Sequence, residues 1–329
     1  MDFSDNVISR YSLDPGVARN LSHSTITTPT MEAITPRWLL TFLPWVSVEA
    51  GIYRVNQVKK RNWDASIEAL ENPELIPKVI ADSLQERELP ETFADYEDVP
   101  KEYTLGAIKT LLKMNSHVTD IFNYPIDQKE QEMRLTIEAM KERQEWELIN
   151  NENNGLLHSV SNRMRVKPRY GIPMPDDMDE LLSRVWKKPS FFLAHPRAIA
   201  AFGRECTRRG VPPVTVTIFG APFMTWRGVP ILPCDKLLID GKSSNMSPAG
   251  QSNILLMRVG EREQGVIGLH QPGIPDEGSI PSLSVKYAGI DKKGIATYIL
   301  SLYFGNAILS EDSLGVLENV EVGYYYDYT

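Results

Sequence analysis

FFLAHPRAIAAFGREC (residues 191–206) runs directly into TRRGVPP (207–213), and together they read as a helix with both ends marked. Pro196 suits a first helical turn, with His195 at the entrance. Ile199, Phe202 and Cys206 fall on one face, and Arg208-Arg209-Gly210 ahead of Pro212 is a stop. Beyond the stop the pattern turns to strands: VTVTIF (214–219), VPIL (229–232), ILLMRV (254–259), LSVKYAGI (283–290) and the alternation Ala296, Tyr298, Leu300, Leu302, Phe304. Upstream lie two more helices. One covers 127–151, opened by a capping box (Asp127, Glu130) after Pro125 and closed by Asn153-Asn154-Gly155. Ile126, Met133, Ile137, Met140 and Leu148 lie on one side of it, and Lys129, Glu130, Glu138, Lys141 and Glu142 mark a solvated side. About 25 helical residues span roughly 37 Å, which makes this helix a spine. The other, 177–187, opens with Asp177 and Glu180 as a capping box before Leu181, Leu182, Val185 and Trp186. Helices first and strands later, without regular βαβ repetition, give an α+β class.

The ends of the chain are less ordered in pattern. Residues 1 to about 37 are rich in Ser, Thr and Asn, as in SHSTITTPT (22–30), and read either as an arm that needs a partner or as a tail. The stretch from 51 to about 101 mixes short apolar patches with charge and proline. Within it, residues 86–102 carry seven acids against two bases, which suits an exposed loop or hairpin. GYYYDYT (323–329) holds four tyrosines and reads equally as a docking patch or a frayed end.

Composition excludes several classes. With 329 residues and 42% apolar content the chain can bury a sizeable core. Its first thirty residues lack an apolar signal-peptide region, so a cytoplasmic protein is expected. The uncharged run 294–310 contains Thr297, Ser301, Asn306 and two tyrosines, and reads as a buried core element rather than a membrane span. Cys206 and Cys234 stand alone, which suits packed thiols in a reducing compartment rather than a zinc site or disulfide. Net charge is −8, and the first forty residues hold four acids and three bases, so no basic arm for nucleic acid is present.

No catalytic constellation emerges. Gly241-Lys242-Ser243 resembles the end of a phosphate-binding loop, but Lys236 stands where that loop requires glycine. The five histidines (His23, His117, His158, His195, His270) show no metal-ligand or nucleophile-base spacing, and His270 in GLHQPG reads as a turn residue. The acids Asp176, Asp177, Asp179 and Glu180 sit at a helix start, where the helix dipole explains them better than a metal does.

Read with MEAITPRWLLTFLPW (31–45), RLTIEAMKERQEWELINN (134–151), TWRGVPILPCDKLLI (225–239), ILLMRVGEREQGVIGLHQPGIPDE (254–277) and LGVLENVEV (314–322), the opening stretch closely resembles the second family of encapsulins. These are bacterial protein shells built on the tailed-phage (Hong Kong 97 type) major capsid fold. The resemblance covers most of the chain. No segment is long enough for the cyclic-nucleotide-binding insertion of some members, so the chain resembles the form without it.

The resemblance implies an extended N-terminal arm (1–48), an extended loop reaching over a neighbour (49–102) and a peripheral domain with the spine helix (103–195). An axial domain (196–280) and strands returning to the peripheral domain with the C-terminal tail (281–329) complete the subunit. It implies an icosahedral homo-oligomer of sixty copies in its smallest form, a cytoplasmic nanocompartment with no enzymatic activity, catalytic residue, metal or cofactor of its own. The cargo implied is a cysteine desulfurase, whose pyridoxal phosphate belongs to the cargo. The turn leaving the third helix (Arg208, Arg209, Gly210, Val211, Pro212 and Pro213) is the implied pore lining, because that connection points towards the fivefold axis in related shells. A viral or prophage capsid protein would share the fold, but is expected to package nucleic acid.

Overall fold

The structure is a computed structural model, described for residues 16, 34–49, 51–56, 96, 99–115, 128–240, 250–272 and 282–323. Most of the arm, the start of the 127–151 helix at Asp127, most of the acidic stretch 86–102, His23, His117, the Gly241-Lys242-Ser243 segment and the tyrosines of the tail lie outside these residues.

The chain divides into two compact units, Ile52–Thr104 and the remainder. In the smaller unit, β2 (Ile52–Val55) and β3 (Lys101–Thr104) pair antiparallel from Ile52↔Thr104 to Val55↔Lys101. Arg54 Nε donates to Glu102 Oε1 at 2.8 Å across that ladder.

The larger unit contains two sheets. The first joins β1 (Trp45–Ser47), β4 (Gly106–Asn115), β11 (Val266–His270), β12 (Leu283–Ile290) and β13 (Ile295–Ile308). β13 is the uncharged run read from the sequence, and it is a core strand. β12 and β4 both pair with it antiparallel, while Ala296, Leu300, Leu302 and Phe304 on its alternating face are buried. β11 leaves β13 at His270↔Phe304 and β12 rejoins it at Leu283↔Leu302; between them the Gln271 and Ser282 backbones meet. His270, read as a turn residue, is therefore the last residue of a strand. Among the described residues no helix is long and apolar enough to cross a membrane.

The second sheet has the order β5 (Arg165–Val166), β14 (Leu314–Glu321), β10 (Gln251–Met257), β6 (Phe191–Ala194), β9 (Val229–Pro233), β8 (Ala221–Trp226), β7 (Val214–Ile218). β6 is a run of four buried residues, as expected of a central strand covered on both faces. β6 lies between β10 and β9, while β11 belongs to the first sheet.

Five α-helices and two short 3-10 helices (Asn162–Met164 and Glu311–Ser313) have described bounds. α1 (Trp38–Phe42) precedes β1, α2 (Gln128–Asn150) is the spine, and α3 (Leu156–Ser159) follows it. α4 (Pro175–Arg184) and α5 (Pro196–Arg208) cover the second sheet. α4 begins earlier than its acids suggest: Pro175 occupies the first turn, Met174 is the N-cap, and the Asp177 carboxylate accepts from the Met174 N–H at 3.4 Å. Met178, Leu181 and Val185 are fully buried, and Gly315 of β14 leaves room for them; a Cβ there would lie 2.8 Å from Leu181 Cδ1.

The expectation of a solvated side on the spine holds for Lys129 and Glu130, which are exposed, and fails for two of its acids. Glu138 and Glu142 are largely buried and ion-paired, and Glu145, one turn further on, is 1% exposed. Their partners come from residues about 100 positions away, so local charge periodicity does not reveal them.

Candidate functional site

Two local arrangements of the larger unit involve residues singled out in the sequence. The first is the segment 34–39, the described end of the stretch that reads as an arm or a tail. The chain at residues 34–39 runs along α2, and alternate residues are gripped by three carboxylates spaced about one turn apart. The Thr35 N–H donates to Glu142 Oε1 at 2.9 Å and its hydroxyl contacts both Glu142 oxygens. Arg37 Nη1 lies 2.5 Å from Glu138 Oε2, and the Leu39 N–H donates to Glu145 Oε1 at 3.3 Å. Lys236, between β9 and β10, closes the cluster from the other side with Nζ 2.7 Å from Glu142 Oε2. Arg37 holds a left-handed backbone (φ 49°), which turns the extended segment into α1.

Past this grip the segment is fixed by apolar contact. Leu39 and Leu43 are buried, and Phe42 packs edge-on against Phe191 and Phe223 at 5.6 and 6.3 Å. Trp45 of β1 lies parallel to β11 opposite Gly268, and only a glycine leaves space for its ring; a Cβ at 268 would sit 2.7 Å from it.

Glu145, Cys234 and Asp235 bring ligand atoms within 4.8 Å of one another, the one such group among the described residues. Burial pushes the Glu145 carboxyl up to about 7 and the Cys234 thiol well above its usual range. Glu145 is already engaged by Leu39. A site that favours the protonated forms of its donors and uses one of them structurally is poorly suited to a cation.

The second feature is the turn after α5. His195 caps the helix start through Nδ1, which accepts from the Arg197 N–H at 3.1 Å. At the other end the Gly210 N–H bonds Thr207 O and the Val211 N–H bonds Cys206 O, with Gly210 at φ 70°. This is a Schellman closure, and it needs the glycine. Arg208 and Arg209 fold back onto the buried Glu205: Arg208 Nη2 and Arg209 Nε reach Oε1 at 2.8 and 2.6 Å. Gly210, Val211 and Pro212 are exposed and Pro213 is half-buried. The six residues run from the last position of α5 through its closure, and Arg209 also lies 3.8 Å from Asp176 of α4.

Among the described residues the histidines and cysteines do not come together as a catalytic group. His158, His195 and His270 end or cap three different elements, and both cysteines are buried. Burial raises the Cys206 thiol to about 11, so neither thiol is poised as a nucleophile.

Comparison with known proteins identifies the architecture. The model of the SrpI-like family, described as type 2A encapsulin shell protein, matches residues 65–324. The type 2A encapsulin shell protein SrpI of Synechococcus elongatus is 51% identical over 311 residues, 94% of each chain. The solved holo-SrpI encapsulin complex from that organism superposes with a TM-score of 0.77 at 47% identity, covering 97% of this chain and 99% of that one. The capsid protein of a native GTA particle, 12% identical, covers 93% of this chain and 99% of its own at a TM-score of 0.55, a likeness of fold alone. The fold is therefore α+β of the tailed-phage (Hong Kong 97 type) major capsid kind. Near-half identity over almost the whole length of both chains makes the assignment firm: this chain belongs to the SrpI-like family of type 2A encapsulin shell proteins.

Proposed function

We propose that copies of this chain, about sixty as in the smallest icosahedral arrangement, close a cytoplasmic shell around a cargo enzyme. The observation that carries this reading is the 51% identity to a type 2A encapsulin shell protein over 94% of the chain. Contact between unlike surfaces of successive copies builds a closed assembly when the rotation between copies closes on itself, and many modest contacts add to a stable whole.

Within the subunit, residues 1–48 serve as the arm, anchored by the grip of α2 on Thr35, Arg37 and Leu39. The unit Ile52–Thr104 corresponds to the extended loop. The turn Arg208–Pro213 lines a pore where copies meet at a symmetry axis. Its arginines are both paired with Glu205, and Arg209 also with Asp176, so the charge at the rim is largely balanced within each copy.

The cargo we infer is a cysteine desulfurase, which would place the shell in sulfur metabolism or storage. This rests on the resemblance to the second encapsulin family. Co-expression of the chain with the desulfurase of the same genome tests it. Particles that carry the visible absorbance of pyridoxal phosphate through gradient purification support the inference. Particles that exclude the enzyme defeat the cargo assignment, and particles filled with nucleic acid would support the capsid reading instead.

A further inference from the structure

β7 is the last strand of the seven-stranded sheet, with β8 on one edge and no strand on the other among the described residues. Its sequence, Val214-Thr215-Val216-Thr217-Ile218, is β-branched throughout and carries no charge. An edge of this kind presents unpaired N–H and C=O groups in a segment of high strand propensity. Natural proteins blunt such edges with lysine, an internal proline or a bulge. β7 has no such residue, and its pairing with β8 is regular from Val214↔Thr225 to Ile218↔Ala221.

The apolar face of the sheet also continues past the edge of the subunit. Val214 and Val216 stand opposite Thr225 and Phe223, both buried, so all four share one face. Val214 is nevertheless 71% exposed and Val216 38%. The core face runs out into the open on this strand.

The hairpin tip adds a third observation. Phe219 and Gly220 form a two-residue turn with φ of 52° and 78°. Asparagine, aspartate or glycine suits the first of these positions, and a bulky residue is strained there. Phe219 touches Phe42 at 5.5 Å on one side yet remains 72% exposed. Strain and exposure fall on one aromatic residue, beside an unprotected edge.

We propose that the free edge of β7, with Val214, Val216 and Phe219, docks against a second copy of this chain. The inference rests on the shell-forming reading above, because a shell subunit must meet copies of itself. The uncharged patch offers no complement to a nucleic acid or a charged segment, and it extends a core face, which an apolar surface of another subunit can complete.

Two variants of the full chain test this. V214K/T217K places charges at exposed positions of the edge, and F219N puts a residue in the turn that accepts the left-handed conformation. Subunits of both variants should keep the circular dichroism and thermal unfolding of the parent. The concentration needed for particle formation, followed by light scattering, should rise about tenfold or more. Hydrogen exchange on the parent gives a readout independent of variant folding: amides of residues 214–218 should slow about a hundredfold between dissociated subunits and particles. Parent-like assembly of both variants, or unchanged exchange in assembled parent, would overturn the proposal while leaving the shell reading intact. A parent that never forms particles would overturn both.

Discussion

Lys236 and Glu142, 94 positions apart in sequence, form a largely buried ion pair with Nζ–Oε2 at 2.7 Å, and the same carboxylate holds the Thr35 backbone. One side chain of the spine thus ties the segment before α1 to the connection between β9 and β10. Replacing it by alanine would remove both Thr35 contacts and leave Lys236 with Asp235 and Arg37 with Glu138 as their remaining partners. E142A should destabilise the subunit by about 3 kcal/mol in urea unfolding. A loss near zero would mean that the segment before α1 is held by its apolar contacts alone.

Glu145 gives a pH dependence of opposite sign to the common carboxylate case. Burial is the largest cause of its rise from 4.5 to about 7, opposed by Lys236 and the Leu39 N–H and reinforced by Glu142. The folded chain therefore binds this proton more tightly than the unfolded chain. The contribution is fully present below the unfolded value and is lost as pH rises through the folded one. Stability should fall between about pH 4.5 and 7 by an amount on the order of 3 kcal/mol from this group. E145Q, which can still accept from Leu39, should flatten that slope and be more stable than the parent at pH 8, as measured by denaturant midpoints.

Arg258 is 3% exposed in its side chain, and its Nη2 lies 2.8 Å from Asp312 Oδ1. Burial would raise the Asp312 carboxyl, but hydrogen bonds from Arg258, Lys187 and Ser310 outweigh it and hold the group well below the usual carboxylate range. D312N should cost about 3 kcal/mol, since it strands a buried guanidinium. The asparagine variant should also lose the part of the acid sensitivity that appears below about pH 4, read from unfolding across a pH series.

Gly268 faces the Trp45 ring at a distance that admits no Cβ. G268A should cost about 1–3 kcal/mol by overpacking and shift the tryptophan fluorescence as β1 is displaced. Unchanged emission and stability would show that β1 yields easily.

Cys206 and Cys234 are buried, with thiols pushed above their usual range by burial. Neither should react with a thiol reagent in the folded chain, and both should react in denaturant.

Much of this fold is legible in the sequence where local pattern and tertiary environment agree. α5 starts at Pro196 and stops at Arg208 because proline, glycine and the apolar face all point to one element. β12 spans the residues its alternation marks. Legibility ends where an environment is imposed from far away. β6 is too short and too uniformly apolar to show a period, since neighbours cover both of its faces. β4 does alternate, with Lys109 and Lys113 outward and Ile108, Leu112 and Met114 inward, but the exposed Leu111 breaks the pattern. The acids of α2 read as a solvated face because Thr35, Arg37 and Lys236 are invisible to helical periodicity. Pro175 is the sequence signal for the true start of α4, and the acids after it mark the first turn rather than the cap.

Assembly of the chain expressed alone and purified without cargo is the measurement that bears most directly on the central claim. Negative-stain electron microscopy with light scattering should show uniform, hollow, closed particles. A monomer or small oligomer at every concentration would contradict the account of this chain as a subunit sufficient to build a shell.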